Sequence, residues 1–304
     1  MRRFWYGYIL KKIEAMAIIF QIIINGLLLS AVYALLGAGV SFLYSTSRIF
    51  HLAHGVVAVG ASFTFWWVWE ASGLNPAVAV LAAVFVAAAA GFLMNEYVYE
   101  VLRRRGARGL GYLIATLALL MLGTGILLAI FGAAPRTFKF ESAILDFGGI
   151  HISVLEVWLL LITVLLLLFF YWLSHYTKFG KAMRATADNE EVAEVLGIDT
   201  KNIRRLAFVL ASVLAAVAGI IHGLEFSLDV NKGALLAVFG FAAAVVGGVG
   251  SLGGAILGSL IMGLSEQAVL WFLGGGARNA VAFVLLFVFL LFKPSGILGK
   301  KREL

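Results

Sequence analysis

The chain of 304 residues is 62% hydrophobic and 13% charged, with 23 Lys and Arg against 16 Asp and Glu. A soluble domain carries roughly 25% charged residues, so an ordinary soluble enzyme, a disordered tail and a nucleic-acid binder are excluded: there is too little polar surface to hold so long a chain in water. The formal charge of +7 does not restore a nucleic-acid partner, because the basic residues sit at the ends of apolar runs, and the lack of cysteine excludes disulfides, thiolate metal sites and cysteine nucleophiles.

The charges fall in clusters separated by charge-free windows at 15–47, 49–69, 71–95, 109–135, 157–177, 206–224, 233–265 and 279–292. A helix crossing a hydrocarbon core roughly 30 Å thick needs about 20 residues at about 1.5 Å each, and most windows reach that length. The unbroken apolar run 159–170 lacks the strict alternation of a transmembrane barrel. The expected fold is an all-α, polytopic integral membrane helical bundle of about eight or nine segments, some broken by glycine. It forms a single transmembrane domain over 1–304, with the bilayer as its solvent.

At the start, Arg2, Arg3, Lys11 and Lys12 flank an aromatic stretch with no small-residue cleavage site. Residues 1–14 therefore read as an interfacial segment ahead of a retained first span. Within the spans, polar side chains are costly and either functional or paired. Asn25, Tyr33, His54, Thr116, Ser251 and Glu266 are the candidates to line a solute path, with helix–helix hydrogen bonding as the competing account of each. His51 and His54 are three residues apart, but no third ligand lies near them, so no metal site is expected. No phosphate-binding loop, zinc-protease motif or nucleophile elbow occurs, so no catalytic residue or cofactor is assigned to this chain.

The polar loop 175–205 supplies the orientation. Placed in the cytoplasm, it puts Arg48, the cluster Arg103, Arg104, Arg105 and Arg108, and the tail Lys293, Lys300, Lys301 and Arg302 on its own side, fifteen of the 23 basic residues in all. The four N-terminal charges fall opposite, against the rule, unless 1–14 lies in the interface or an early segment is re-entrant. Inside the loop, Asp188 reads as an N-cap with Glu191 completing a capping box. Val192, Ala193, Val195 and Leu196 read as one apolar face, and Gly197 as the stop. This short helix either plugs into a soluble partner or lies on lipid headgroups. Further on, the window 233–265 is too long for one span. Gly247, Gly248, Gly250, Gly253 and Gly254 are expected to break it into two segments, or to pack helices closely at four-residue spacing.

One set of motifs is family-like. Arg184-Ala185-Thr186-Ala187-Asp188-Asn189 with Leu196-Gly197-Ile198, Asn25-Gly26, Ala53-His54-Gly55, Leu113-Ile114-Ala115-Thr116, Val246 to Ser251, and Phe292-Lys293-Pro294-Ser295-Gly296 occur in order. Together they resemble the branched-chain amino acid permeases of bacterial ABC importers, in particular the H-type membrane subunit. The chain departs from the family pattern at Val56 and at Phe50-His51-Leu52. The resemblance implies a bacterial or archaeal cytoplasmic membrane protein that pairs with a second homologous permease. It further implies two cytoplasmic ATP-binding subunits, which hold ATP and Mg, and an extracytoplasmic solute-binding protein. Residues 188–197 would then couple to the ATP-binding subunits. The cargo expected is a branched-chain amino acid. The alternatives are urea, a short amide or another small polar solute on the same machine, and a channel or ion-coupled carrier.

Overall fold

The computed structural model describes residues 2–139 and 142–299, those of 2–15 by backbone alone. The side chains of the expected interfacial segment 1–14 and the tail residues Lys300, Lys301 and Arg302 lie outside the described residues. The order of elements is α1 (Arg2–Ser47), α2 (His54–Trp66) running into a π-helical turn Trp67–Ala71, α3 (Pro76–Leu93), a second π-helical turn Met94–Tyr99, α4 (Glu100–Arg104) and α5 (Gly109–Phe131). A hairpin of β1 (Ile144–Asp146) and β2 (His151–Ser153) follows, then α6 (Val154–Tyr176), α7 (Lys178–Asp188), α8 (Glu190–Val195) and α9 (Thr200–Glu225). Last come α10 (Lys232–Gly247), α11 (Leu252–Leu273), α12 (Gly275–Arg278) and α13 (Ala280–Phe292).

Seven of these stretches are long and apolar enough to cross a membrane: Met16–Ser47, Pro76–Arg104, Gly109–Phe131, Val154–Tyr176, Thr200–Glu225, Leu252–Leu273 and Gly275–Phe292. Small residues place α1 and α9 at the centre. Gly26 packs on Leu264 of α11, Gly37 on Ala243 of α10, and Gly39 on Ala211 of α9. By contrast α5 and α13 leave most of their surface outside the bundle, which is where lipid must lie.

The window 49–69 crosses the bundle as expected, but not as one continuous helix. His54, the first residue of α2, lies against Gly39 and the Ala211 carbonyl, eight residues inside α1 and eleven inside α9, or about 12 and 16 Å at 1.5 Å per residue. Residues 49–53 are therefore a non-helical stretch that enters the bundle below the exposed Arg48, and α2 starts midway through and completes the crossing. From there it runs parallel to α9, Ala58 meeting Gly219 and Ser62 meeting Gly223. A methyl group at Gly219 would overlap the Ala58 carbonyl, so only glycine lets the backbones approach this closely. α10 is the complementary half-length helix. Its Gly233 and Ala237 pack on Val56 and Gly55, antiparallel to α2, and it ends at Gly247. A charge-free window cannot distinguish a helix facing lipid from one enclosed by other helices, because both exclude charge.

The glycine-rich turn forms where expected, with φ of +112° at Gly248 and +85° at Gly250. Gly253 and Gly254, however, do not break the chain. They occupy the first turn of α11, which Ser251 caps by accepting the Gly254 N–H at 3.1 Å, and Gly254 packs on Gly247 across the α10–α11 hairpin. Break and close packing therefore coexist within eight residues.

The contacts also sort the two ends. Arg48 Nη2 donates to the Ala187 carbonyl at 2.9 Å, Arg103 pairs with Glu190, and the Leu298 N–H donates to the Gly247 carbonyl at 2.8 Å. These bring the basic clusters and the loop 175–205 to one end, as parity requires. At the other end Gln21 exchanges two hydrogen bonds with His151, and Arg136 and Leu228 form a two-bond β-bridge. α1 is one continuous helix, and residues 49–71 after it carry the chain from one end to the other, so neither is re-entrant.

Candidate functional site

The inner end is built around α8. Thr177 caps α7 by accepting the Gly180 N–H at 3.1 Å, and Met183 and Phe179 hold α7 on the bundle, Phe179 stacking on Phe42. α7 runs through Asp188, which is why that residue is not the expected N-cap. Asn189 takes the role, with extended backbone and a side chain accepting the Val192 N–H at 3.1 Å. Glu191 consequently completes no capping box with Asp188. Gly197, with φ +82°, ends the helix, and the Ile198 N–H closes onto the Ala193 carbonyl at 3.0 Å. Asp199 then caps α9.

The four apolar residues of this helix do not share a face. Ala193 is buried against the bundle, while Val192, Val195 and Leu196 point away from it, Val195 being 88% exposed. One exposed apolar tip, at i, i+3 and i+4 spacing, thus stands on a helix that its remaining face ties down.

Charge does the tying. The Glu190 carboxylate accepts from Arg103 at 3.0 Å and from Arg204. Arg204 also forks onto Glu100, at 2.7 Å from Nε and 3.3 Å from Nη2. The Arg204 and Glu100 side chains are 4% and 6% exposed, and a bidentate pair of this kind fixes orientation as well as distance. One turn along α9, Lys201 and Arg205 bind Glu96 at 2.6 and 3.0 Å, on the π-helical turn before α4. Thr200 Oγ1 donates to Glu194 at 2.6 Å and joins α8 directly to α9. Glu100, Glu190 and Arg204 belong to no motif in the sequence, and Arg103 stands out there only as one of a basic cluster. The available signal was the acidic pair Glu96 and Glu100 lying just before the basic cluster on the side assigned to the loop.

The six path candidates occupy separate places. Tyr33 donates to Glu266 at 2.6 Å, and Glu266, 1% exposed, also pairs with Arg278 at 2.6 Å. Thr116 accepts the Ala53 N–H at 3.0 Å and so ties down the non-helical stretch 49–53 beside His54. The neighbouring His51 shares a 2.7 Å hydrogen bond with Tyr99. Asn25 accepts from Gln21 at 2.9 Å near the outer end, and Ser251 is a helix cap at the inner end. Tyr33 and Glu266 come together, as do His54 and Thr116. The set does not line one continuous path within the chain.

The family described as "branched-chain amino acid transport system / permease component" matches residues 22–292. The chain is 30% identical to the high-affinity branched-chain amino acid transport system permease protein BraD of Pseudomonas aeruginosa, over 92% of this chain and 95% of that one. It is 28% identical to LivH of Escherichia coli K12, a permease protein of the same description, over 92% and 95%. It is 29% identical to a probable branched-chain amino acid transport permease protein LivH of Methanocaldococcus jannaschii, over 92% of each.

Proposed function

The chain belongs to the family of branched-chain amino acid transport permease components, and from that premise we propose that it is the membrane-spanning subunit of an ATP-driven importer of branched-chain amino acids. It is a multi-pass protein of the cytoplasmic membrane. In this reading it pairs with a second homologous permease and receives cargo from an extracytoplasmic binding protein. ATP is bound with Mg and hydrolysed by two cytoplasmic partner subunits, and the chain itself catalyses nothing. The competing carrier of urea or short amides lacks an observation of its own.

The observation that carries the coupling role is the exposed tip Val192, Val195 and Leu196 on a helix whose Glu190 is shared by Arg103 and Arg204. Closure of the ATP-binding subunits would bury that tip and load α8. Because one carboxylate is held by arginines on two helices, the load passes to α4 and α9 together, and along α9 to the half-length α2 packed on it. An exposed pair gives little stability, but an enclosed, forked one transmits displacement.

The test is the complete importer in vesicles, with leucine inside the binding protein. Val195→Glu, at a position that touches nothing in the chain's core, should abolish leucine-stimulated ATP hydrolysis and uptake while the two permeases still copurify. Unchanged stimulation would sink the coupling role. A binding protein that held urea and ignored leucine would overturn the cargo.

A further inference from the structure

On the flank of the bundle, at its outer end, a half-open groove of about 580 Å³ lies between α2, α3 and α5. Trp66, Trp67, Val86, Ile130 and Phe131 line it, and Arg136 stands at its mouth. We propose that this groove binds a membrane phospholipid, its phosphate on the Arg136 guanidinium and one acyl chain along the apolar wall.

Depth, exposure and charge point the same way. The groove descends from Arg136, in the strand-like segment bridged to Leu228, to Val86, ten residues into the membrane from Pro76, or about 15 Å at 1.5 Å per residue. A headgroup at the interface with a chain beneath it spans the same depth. Val86, Ile130 and Trp67 are exposed, the first two on helices that leave most of their surface to the bilayer. The wall therefore faces acyl chains, and the tryptophans sit at the level where indole rings favour the headgroup boundary.

Arg136 has donors to spare. Its guanidinium lies 4.8 Å over the Trp66 ring, and its Nη2 reaches the Phe131 carbonyl only at 3.5 Å. Its Nε is buried without a partner. Among the described residues Arg136 has no ion pair, and the Glu70 carboxylate accepts the Lys139 backbone N–H at 3.1 Å. A planar guanidinium with free N–H groups, held flat on an aromatic face, is suited to grip a phosphate.

The assembled importer, purified and washed with detergent, is to be compared by native mass spectrometry after incubation with phosphatidylglycerol or with diacylglycerol of the same chains. Phosphatidylglycerol should be retained and diacylglycerol lost. Arg136→Gln should lower retention at least tenfold, and Ile130→Trp, which fills the groove from an exposed position, should do the same without touching the arginine. A photo-crosslinking residue at position 130 should label lipid. Equal retention by parent and both variants, diacylglycerol held as firmly as phosphatidylglycerol, or crosslinks running instead to the second permease would each overturn the proposal.

Discussion

Each end of the bundle buries a carboxylate against an arginine, and the two pairs are built for different tasks. At the inner end Glu100 and Arg204 lie 104 positions apart in the chain, both enclosed, and the arginine extends to a second carboxylate on α8. At the outer end Glu266 and Arg278 are separated by 12 positions across one short turn, with Tyr33 as the single link to α1. The first joins elements that sequence keeps far apart, and the second pins a local corner. Buried ion pairs are poor sources of net stability but expensive to break. The inner pair is therefore better understood as a mechanical joint, and the outer as an anchor.

Breaking that contrast should show first in stability. Arg204→Leu strands the Glu100 carboxylate and should cost about 3–5 kcal/mol, read as a fall in the unfolding midpoint of the solubilised permease. Combining it with Glu100→Gln should recover a good part of the loss. Tyr33→Phe removes one donor to a buried carboxylate and should cost about 1.5–3 kcal/mol, with ATP stimulation in the assembled importer unchanged because the anchor is not part of the joint. A drop in stimulation as large as the one Val195→Glu produces would erase the distinction between the two ends.

Smaller changes sharpen the inner end. Gly197→Ala forces a left-handed backbone on a residue with a Cβ, at about 1–2 kcal/mol, and should reduce coupling more than stability. Asn189→Ala should cost about 1 kcal/mol through the lost cap, whereas Asp188→Ala should stay within about 0.5 kcal/mol. The reverse ranking would return the cap to Asp188. Glu190→Gln, in a part-exposed pair, should cost less than about 1 kcal/mol while lowering ATP-coupled uptake several-fold, which a leucine uptake assay would read directly.

Lipid-crossing length, the gathering of the basic clusters at one end, the glycine turn at 248–250 and the short helix in the loop 175–205 were legible because each depends on local composition or spacing. The non-helical start of the second crossing, 49–53, was not, since exclusion of charge is common to lipid and to protein interior. Asp188 and Asn189 are equally good caps by residue type, and only the packing of Phe179 and Met183 decides that α7 continues through the first of them. The Glu100–Arg204–Glu190 joint depends on three elements meeting, which no spacing rule expresses. The candidate path residues were chosen as costly polar groups, and the structure satisfies that cost in pairs such as Tyr33–Glu266.

The non-helical stretch 49–53 also constrains how the protein is made. It leads from the exposed Arg48 down to the start of α2 at a depth where no water can satisfy its backbone, and it is covered by Phe208 and Ala211 of α9. About 170 further residues must be synthesised before that cover is complete, which takes roughly 10–30 s at 5–20 residues per second. Through that interval residues 48–71 cannot rest in their final position beside α9. The emerging chain must keep them in the insertion machinery, or against early helices, until the fifth of the seven long spans approaches completion.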